Sequence, residues 1–531
     1  GYNYEAKYYR DLTAANDGLL SEDLSDFNLA KGTTNFTLNG GRNEYAIMGW
    51  FYRAAYDYKG KYLAEVNGRY DGTSRFPRGK RYGFFPSFSA AYRISEEAFF
   101  EPLRKTVDNL KIRLSYGSLG NQQIGYYDFI QTITTKGSMG DYSFDGTILG
   151  QHATVSDPVS GNQTWEKVIS KNLGADLNMF SNRLSLTADF YIRDTKGILG
   201  KGKSLPSIYG ANEPQVNSNN LRTKGYELVL GWRDSFKLAG STFSYGITGT
   251  FSDYTAEYTK CDNPSGLIGD PYVGKKYGEI WGYKVDGLFR NDEEAAEYAS
   301  RVDLSKVAAG YYSATGAYGK GVRGGDIKYL DLDGSGIVDG GKGTLEDPGD
   351  RRVIGNSSPR YQYGLTLNLS WYGFDLSVFM QGIGRLDWYP GADNLRFWGP
   401  YSRPYATFIP KNFMSQVWSE SNPDAYLPRA RAYTSLNSTQ GTAYYTNDRY
   451  LQNLAYCRLK NLTLGYTIPK RLTSKVGIKE CRVYFSGENL ATWSALKNDF
   501  LDPEQAAADS DKKSNVYPWC RTYSVGLNLT F

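Results

Sequence analysis

The sequence ends in Arg521-Thr522-Tyr523-Ser524-Val525-Gly526-Leu527-Asn528-Leu529-Thr530-Phe531, which alternates between apolar and polar residues without a break. The apolar residues of this stretch are Tyr523, Val525, Leu527, Leu529 and Phe531. A period of two residues is typical of a β-strand with one apolar and one polar face. From Tyr523 to Phe531 the stretch has about the 9–11 residues that a tilted strand needs to cross a bilayer. It therefore predicts a membrane-spanning strand whose apolar face contacts lipid.

Composition favours one large closed sheet over several soluble domains. The chain has 531 residues, with 46 Tyr, 59 Gly and 10 Trp. Tyrosine and tryptophan suit both strands and the aromatic belts at membrane surfaces. No apolar run approaches the roughly 18 residues of a membrane helix. The predicted fold class is therefore all-β, a transmembrane antiparallel β-barrel with long loops.

Charge and motifs argue against two classes of function. The 61 Lys and Arg residues nearly balance the 56 Asp and Glu residues and are spread along the chain, so no nucleic-acid partner is expected. His152 is the single histidine, and no motif for nucleophilic or metal-assisted catalysis occurs in a fitting context. We therefore expect no enzyme activity and no catalytic cofactor, and we place His152 in a loop.

The alternation divides the chain into strand regions and loops. The predicted segments are a surface loop (1–42), barrel strands (43–252), an extracellular insert (253–359), and C-terminal barrel strands (360–531) that include a long extracellular loop (385–449). The insert contains a helix from Asn291 to Ala309 and an acidic turn. Short turns alternate strictly with long loops, which is typical of a bacterial outer-membrane barrel.

The pattern contains about 13 full strands. A single-chain bacterial barrel needs an even number and must pair its last strand with its first, so partner strands are expected outside this sequence. A soluble glycan-binding protein built from several β-sandwiches is the alternative. Its strands would also alternate between apolar and polar residues, but short and long connections would not be expected to alternate along the chain.

Eight stretches, taken in order, resemble the SusC/RagA-type TonB-dependent outer-membrane transporters of Bacteroidetes. They are Asp71-Gly72-Thr73-Ser74-Arg75-Phe76, Leu114-Ser115-Tyr116-Gly117-Ser118-Leu119-Gly120-Asn121-Gln122, Gly324-Gly325-Asp326-Ile327-Lys328-Tyr329-Leu330-Asp331-Leu332-Asp333-Gly334, Ile354-Gly355-Asn356 with Pro359, Gly373-Phe374-Asp375-Leu376-Ser377 with Gln381-Gly382, Arg458-Leu459-Lys460-Asn461-Leu462-Thr463-Leu464-Gly465-Tyr466, Ser486-Gly487-Glu488-Asn489-Leu490, and Arg521 to Leu529. Each alone is weak, but their order makes the set specific.

This resemblance implies the C-terminal part of a barrel of about 22 strands with a plugged lumen. The family's export signal, small soluble domain, TonB-contacting box and plug match nothing in this sequence. The implied partners are a SusD-like surface lipoprotein, TonB through those parts, the plug and remaining strands, and outer-membrane lipid. The implied function is import of glycan or peptide across the bacterial outer membrane.

The long loop between 385 and 449 is dense in aromatic residues that could stack on sugar rings. The candidate ligand-binding residues are Trp388, Tyr389, Phe397, Trp398, Tyr401 and Tyr405, with Trp418 nearby. The alternative is that these rings pack the loops together or face the partner lipoprotein. A basic cluster, Arg75, Arg78, Lys80 and Arg81, could meet an acidic ligand or lipid phosphates, with a solvated rim as the alternative.

The acidic turn matches part of a calcium-loop pattern. The candidate ligands of a structural Ca²⁺ are Asp331, Asp333, Ser335 and Asp339. Lys342 stands where the full pattern requires a glutamate, so Glu346, Asp347 or Asp350 would have to complete the shell by folding back. The alternative is an acidic turn without an ion.

Overall fold

A 14-stranded antiparallel sheet forms the body of the computed structural model. The described residues are 1–19, 21, 23, 26–32, 36–136, 143–144, 147–148, 152–203, 205–312, 321–405, 407, 409, 411–431, 435–436, 441–497, 501–508 and 519–531. The strands of the sheet are β1 (Tyr2–Ala15), β2 (Thr37–Tyr58), β3 (Tyr62–Thr73), β4 (Tyr82–Arg93), β5 (Val107–Asn121), β6 (Glu166–Met179), β7 (Leu184–Lys201), β8 (Gln215–Leu238), β9 (Ser241–Lys260), β10 (Arg360–Trp371), β11 (Phe374–Arg385), β12 (Tyr456–Thr467), β13 (Glu480–Ser494) and β14 (Thr522–Thr530). Each strand pairs with its neighbours in the chain.

The first strand corrects the sequence prediction for residues 1–42. Instead of a surface loop throughout, β1 pairs with β2 from Tyr2 opposite Trp50 to Ala15 opposite Thr37. Sequence alternation missed β1 because tyrosines and charged residues fall on both of its faces. Within the described residues β1 and β14 are paired on one side only, so the sheet has two open edges.

The apolar face of the sheet is exposed. On β14 the exposed fraction of the predicted lipid-facing residues runs from 41% for Leu529 to 80% for Val525. The full set of these exposed residues is Tyr523, Val525, Leu527, Leu529 and Phe531. Leu173, Phe190 and Leu230 on the central strands are exposed by about half as well. No second sheet of described residues covers this face, so the soluble-sandwich alternative is wrong.

The opposite face carries charges. Arg113 on β5 contacts Asp189 on β7 at 2.9 Å and Asp176 on β6 at 3.0 Å, and Lys111 contacts Asp176 at 3.2 Å. These ion pairs link three neighbouring strands across one face. A sheet with one exposed apolar face and one charged face is the wall of a membrane barrel whose interior is polar.

The connections sort by end of the sheet, but less strictly than predicted. One end has tight turns such as Tyr372-Gly373, where φ is 49° and 82°, as expected for the twisted two-residue hairpins of such sheets. The same end also has the longer connections 94–106 and 468–479, while the opposite end has the short connection 74–81. Residues 94–106 are longer because they fold into 3₁₀ turns that bury Phe100. We call the two ends the short-turn end and the long-loop end.

Smaller elements lie in the connections. The short strands are Ile133–Lys136, Ser143–Phe144, Thr147–Ile148, His152–Val155, Glu279–Tyr283, Val285–Leu288, Ile327–Tyr329, Arg351–Asn356, Asp387–Trp388 and Gln452–Asn453. The α-helices are Asp292–Ala299, Ala309–Tyr312, Leu395–Trp398 and Lys470–Thr473, and the 3₁₀ helices are Phe27–Leu29, Ile94–Glu96, Ala98–Leu103, Ser207–Tyr209, Gly399–Tyr401, Met414–Gln416 and Ser474–Val476. No helix in the described part of the chain has the length and apolar character needed to span a membrane.

The predicted helix from Asn291 to Ala309 is shorter than expected. Asn291 caps it, because its side-chain oxygen accepts a hydrogen bond from Glu294 N at 2.8 Å, but the helix ends at Ala299. After the helix, the Asp303 carboxylate accepts a hydrogen bond from Ser305 N at 2.7 Å. Such local side-chain bonds favour turns over helix.

A charge on the lipid-facing side of β14 should destabilise the protein. We expect Leu527→Arg to cost about 2–4 kcal/mol, because an arginine near the bilayer centre must leave water. The matched control is Asn528→Arg, which places the same side chain on the opposite face. Urea unfolding of the full-length protein in lipid vesicles measures both. Equal losses in the two variants would contradict a lipid-facing apolar side.

Candidate functional site

The two longest connections fold together at the long-loop end. Residues 261–359 and 386–455 share one hydrophobic core of fully or almost fully buried side chains. Its large members include Phe289, Leu304, Tyr311, Ile327, Tyr329, Trp388, Tyr389, Phe397, Trp398, Tyr401, Phe413, Trp418, Tyr450 and Leu454. The insert is therefore packed structure, held like a small soluble domain by burial of apolar surface.

The predicted ligand-binding rings are mostly inside this core. Exposed fractions are 4% for Trp388, 6% for Tyr389, 1% for Phe397, 0% for Trp398 and 2% for Tyr401. Edge-to-face contacts such as Trp398 with Tyr450, 5.1 Å between ring centroids, cover the rings. The packing alternative thus describes these five residues, and the prediction that they present open faces to a ligand is corrected. Tyr405 is 76% exposed.

Asn447 is the polar centre of this core. It is fully buried, and its amide donates to the hydroxyl of Tyr389 at 3.1 Å and to the carbonyl of Tyr445 at 2.9 Å. Its side-chain oxygen accepts from Tyr450 N at 3.2 Å. Burial raises the pKa of the Tyr389 hydroxyl well above its usual range. The hydroxyl therefore stays protonated, and its one proton is shared between the carbonyls of Ala443 and Tyr445, at 3.2 and 3.1 Å.

A buried ion pair joins the two connections. Asp326 of the insert accepts two hydrogen bonds from Arg431, at 2.9 Å from Nε and 2.6 Å from Nη2. The exposed fraction of the side chain is 1% for Asp326 and 6% for Arg431. Burial raises the pKa of Asp326 to about 6, opposed by the neighbouring guanidinium. The ring of Tyr311 lies 4.2 Å below the Arg431 guanidinium, so the charge is enclosed on both sides.

A cleft of about 480 Å³ opens between the two connections. Its lining residues are Trp281, Gly282, Tyr283, Gly340, Arg351, Tyr389, Pro390, Gly391, Ala392, Tyr444, Tyr445 and Thr446. Tyr444 is 40% exposed, and Arg351 is fixed by donating from Nη2 to Gly340 O at 2.7 Å. The cleft thus combines an exposed tyrosine ring with a guanidinium, which suit a polar ligand with flat apolar surfaces.

Sequence reasoning missed this cleft. Of its lining only Tyr389 belongs to the predicted ligand-binding set. Pro390, Gly391 and Ala392 follow Tyr389 directly, and the other lining residues come from distant segments. Two of those segments are brought together by the pairing of Glu279–Tyr283 with Arg351–Asn356. The short alternating run around Trp281 is the one local signal, and it indicates a strand without indicating its partner.

The acidic turn gathers three carboxylates. Oxygens of Asp331, Asp333 and Asp350 lie within 4.8 Å of one another. Asp350 joins because the turn folds back, and it accepts from Leu332 N at 2.6 Å and Asp339 N at 2.9 Å. Burial raises the pKa of Asp350, whereas hydrogen bonding by Ser335 lowers the pKa of Asp333.

Of the four predicted calcium ligands, Asp331 and Asp333 belong to this cluster and Asp339 does not. Ser335 Oγ donates to Ile337 O at 3.0 Å, and the Asp339 carboxylate accepts from Gly341 N at 2.7 Å. Asp331 also accepts from two backbone amides, Gly334 N at 2.8 Å and Gly336 N at 2.9 Å. Backbone amides thus stabilise much of the negative charge, and three carboxylates remain close enough to share a cation.

Two further predicted features are placed by the structure. Arg75 of the basic cluster stacks on Tyr45, 4.1 Å from the ring centroid, and donates to Ile124 O at 3.2 Å. Arg81 Nε donates to Phe76 O within the same loop, at 3.1 Å, whereas Arg75 links this loop to β2 and to the connection that follows β5. His152 begins a short strand that pairs with Ile133–Lys136, which refines its assignment to a loop.

The exposed apolar face, the charged opposite face and the sorted connections together define the wall of an outer-membrane β-barrel. Over residues 1–490 the sequence matches the family described as TonB dependent receptor-like, beta-barrel. The chain belongs to this family, and it is an outer-membrane protein.

Relatives extend the match. TonB-dependent receptor P3 of Formosa agariphila is 26% identical over 554 residues, covering 100% of this chain and 50% of the relative. TonB-dependent receptor SusC of Bacteroides thetaiotaomicron is 23% identical over 505 residues, covering 91% of this chain and 44% of SusC. The structure of the RagAB peptide importer in the closed-closed state superposes with a TM-score of 0.73 at 21% identity, covering 100% of this chain and 53% of that chain.

The chain spans about half the length of the curated relatives it matches. The comparisons confirm the predicted resemblance to SusC and RagA, the barrel fold and the outer-membrane location. The relatives are receptors and transporters, which confirms the prediction that the chain is not an enzyme.

Removing the buried carboxylate should loosen the loops. Asp326→Ala removes the carboxylate that contacts the buried Arg431 guanidinium, and we expect the free energy of unfolding to fall by about 3–5 kcal/mol. The control is Asp424→Ala, because Asp424 is 83% exposed and 3.6 Å from Arg290, so its loss should matter little. Guanidinium unfolding with limited proteolysis of the full-length protein compares them. Unchanged protease resistance in Asp326→Ala would contradict a role in holding the connections together.

The acidic turn predicts a calcium effect. Millimolar Ca²⁺ should raise the Tm of the full-length protein, because an ion bound by the folded state alone stabilises it. Asp333→Asn should reduce the shift, whereas Glu346→Gln, in the same loop and outside the cluster, should keep it. A wild-type Tm that does not respond to Ca²⁺ would show that the backbone amides stabilise the turn without an ion.

Proposed function

We propose that this chain is the barrel wall and loop region of a TonB-dependent transporter that imports oligomeric nutrients with a SusD-like surface lipoprotein. Its membership of the receptor barrel family carries this proposal. The similarity to SusC, and to a structure described as a peptide importer, supports it. The packed loop region, with a cleft at the end from which a ligand would enter, is consistent with capture at the cell surface.

We further propose that other parts of the same transporter complete the barrel. Among the residues that the structure describes, both edge strands present unpaired backbone groups, which a barrel in lipid must pair. The lumen-facing charges around Arg113 and Asp176 would then face the plug. Contact with TonB, and hence energy coupling, would be made through the plug side of the protein.

The cargo we favour is a glycan. The exposed ring of Tyr444 offers a flat face for a sugar, and the Arg351 guanidinium offers hydrogen bonds to its oxygens. None of the residues that line the cleft carries a carboxylate, so the described lining lacks a partner for the amino terminus of a peptide. The five predicted aromatic residues are buried in the core, so they do not present open ring faces to a sugar.

The test is uptake and binding by the complete transporter with its neighbouring lipoprotein. We expect labelled oligosaccharide, supplied to cells, to enter in a TonB-dependent manner. Arg351→Ala combined with Tyr444→Ala should weaken oligosaccharide binding by about tenfold or more, since a difference of about 1.4 kcal/mol is tenfold. The matched control is Tyr209→Ala, which removes a 57% exposed tyrosine from a different connection at the same end.

The outcomes separate the parts of the proposal. Uptake of oligopeptide without oligosaccharide would reject the glycan and keep the transporter. Uptake of glycan that is insensitive to the double variant would reject the cleft as the binding site. If the complete complex bound and imported neither class, the proposed function would be wrong.

A further inference from the structure

Lysines occur on the lipid-facing side of the wall, just beyond its apolar band. In one row across the sheet, Lys171 on β6 lies opposite Ile192 on β7, and Ile192 lies opposite Lys224 on β8. The adjacent row toward the short-turn end is apolar, formed by Leu114, Leu173, Phe190 and Tyr226. Because alternate residues share a face, the two lysines project on the same side as this apolar row.

More charge follows in the next rows toward the loops. Lys167 lies opposite Lys196, and Asp194 lies opposite Arg222. Arg222 contacts Asp194 at 2.6 Å, and Lys276 contacts Glu257 at 2.5 Å. We call this set the cationic rim. It consists of Lys167, Lys171, Lys196, Arg222, Lys224 and Lys276 with the two carboxylates Asp194 and Glu257.

The rim has excess positive charge that the protein does not neutralise. Among the residues that the structure describes, Lys167, Lys171, Lys196 and Lys224 form no ion pair, and all four are exposed. Directly opposed like charges, as in Lys167 and Lys196, are unfavourable unless a counterion lies between them. Nearby, Asp253 contacts Arg360 at 2.5 Å, so that pair adds no net charge.

A groove connects the rim to the apolar band. Its volume is about 550 Å³, and its charged side is lined by Lys171, Lys224 and the Arg360–Asp253 ion pair. Leu114, Leu173, Phe190, Ile192 and Tyr226 line its apolar side. The lysines are two residues from the apolar row, or about 7 Å along the strand. Their aliphatic stems can follow the wall while the ammonium groups reach the headgroup level.

We propose that the cationic rim binds the phosphate of an anionic lipid in the outer leaflet. Lys171 and Lys224 would hold the phosphate from two strands, and the acyl chains would lie on Phe190, Leu173 and Tyr226. The position favours a lipid over a soluble anion, because the groove lies on the membrane side of the wall and has an apolar lower half. This site is separate from the cleft in the loops and does not depend on the cargo.

The experiment compares lipids that differ in phosphate alone. The full-length protein is placed in phosphatidylcholine nanodiscs that contain a bis-phosphorylated lipid A or its dephosphorylated form, and bound lipid is counted by native mass spectrometry. We expect selective retention of the phosphorylated lipid. Lys171→Gln with Lys224→Gln should weaken retention by about 30-fold, since each basic residue near a membrane surface contributes about 1 kcal/mol.

The matched control is Lys59→Gln with Lys105→Gln, which removes two exposed lysines from connections at the short-turn end and should leave retention unchanged. Heat-modifiable gel migration confirms that each variant is folded. Lys167→Gln with Lys196→Gln gives a second test of the rim if the first variant does not fold. Equal retention of the two lipids, or equal loss in the control, would overturn the proposal. Displacement by millimolar inorganic phosphate would assign the rim to a soluble anion and reject the lipid.

Discussion

Backbone hydrogen bonding inside hydrocarbon is the constraint on which this structure depends. A bilayer offers no partner for an exposed N–H or C=O, so a strand that crosses it must pair along its whole length with other strands. In this chain β1 to β14 pair in sequence order, and only the outer edges of β1 and β14 lack a neighbour among the described residues. Once pairing is fixed, alternate residues of each strand face opposite sides of the sheet. A side chain's position in the strand therefore decides whether it contacts lipid or the polar interior. Leu527 therefore faces lipid while Asn528, one residue on, faces the polar side.

The loop region follows a different rule, because water surrounds it. Residues 261–359 and 386–455 form few long strands and instead bury aromatic side chains in a shared core. Two polar groups of that core are held by specific partners, Asn447 by the surrounding tyrosines and Asp326 by Arg431. These buried contacts link segments that are 58 and 105 residues apart along the sequence, so the loops form one packed body on top of the wall.

The wall was predictable from sequence, and the loop region largely was not. Strands such as β14 could be identified because burial in lipid imposes a strict period of two on Tyr523 to Phe531. β1 was missed where tyrosines occur on both faces. In the loops no period applies: an aromatic residue such as Trp398 has the same sequence signal whether it stacks on a sugar or fills a core. Its burial depends on Tyr450, a partner that local sequence does not identify. The cleft was missed for the same reason.

The longest paired strands of this fold are longer than a bilayer crossing requires. β8 has 24 residues and β9 has 20, well beyond the roughly 9–11 that cross a bilayer. On β8 the apolar lipid-facing residues end at Tyr226, whereas the pairing of β8 with β7 continues to Gln215. The extra length carries the wall into the aqueous layer, where its outer face changes from apolar side chains to lysines. The same extension supports the packed loops from below. Lys171 and Lys224 thus lie at the level of the lipid headgroups because the strands extend beyond the hydrocarbon layer.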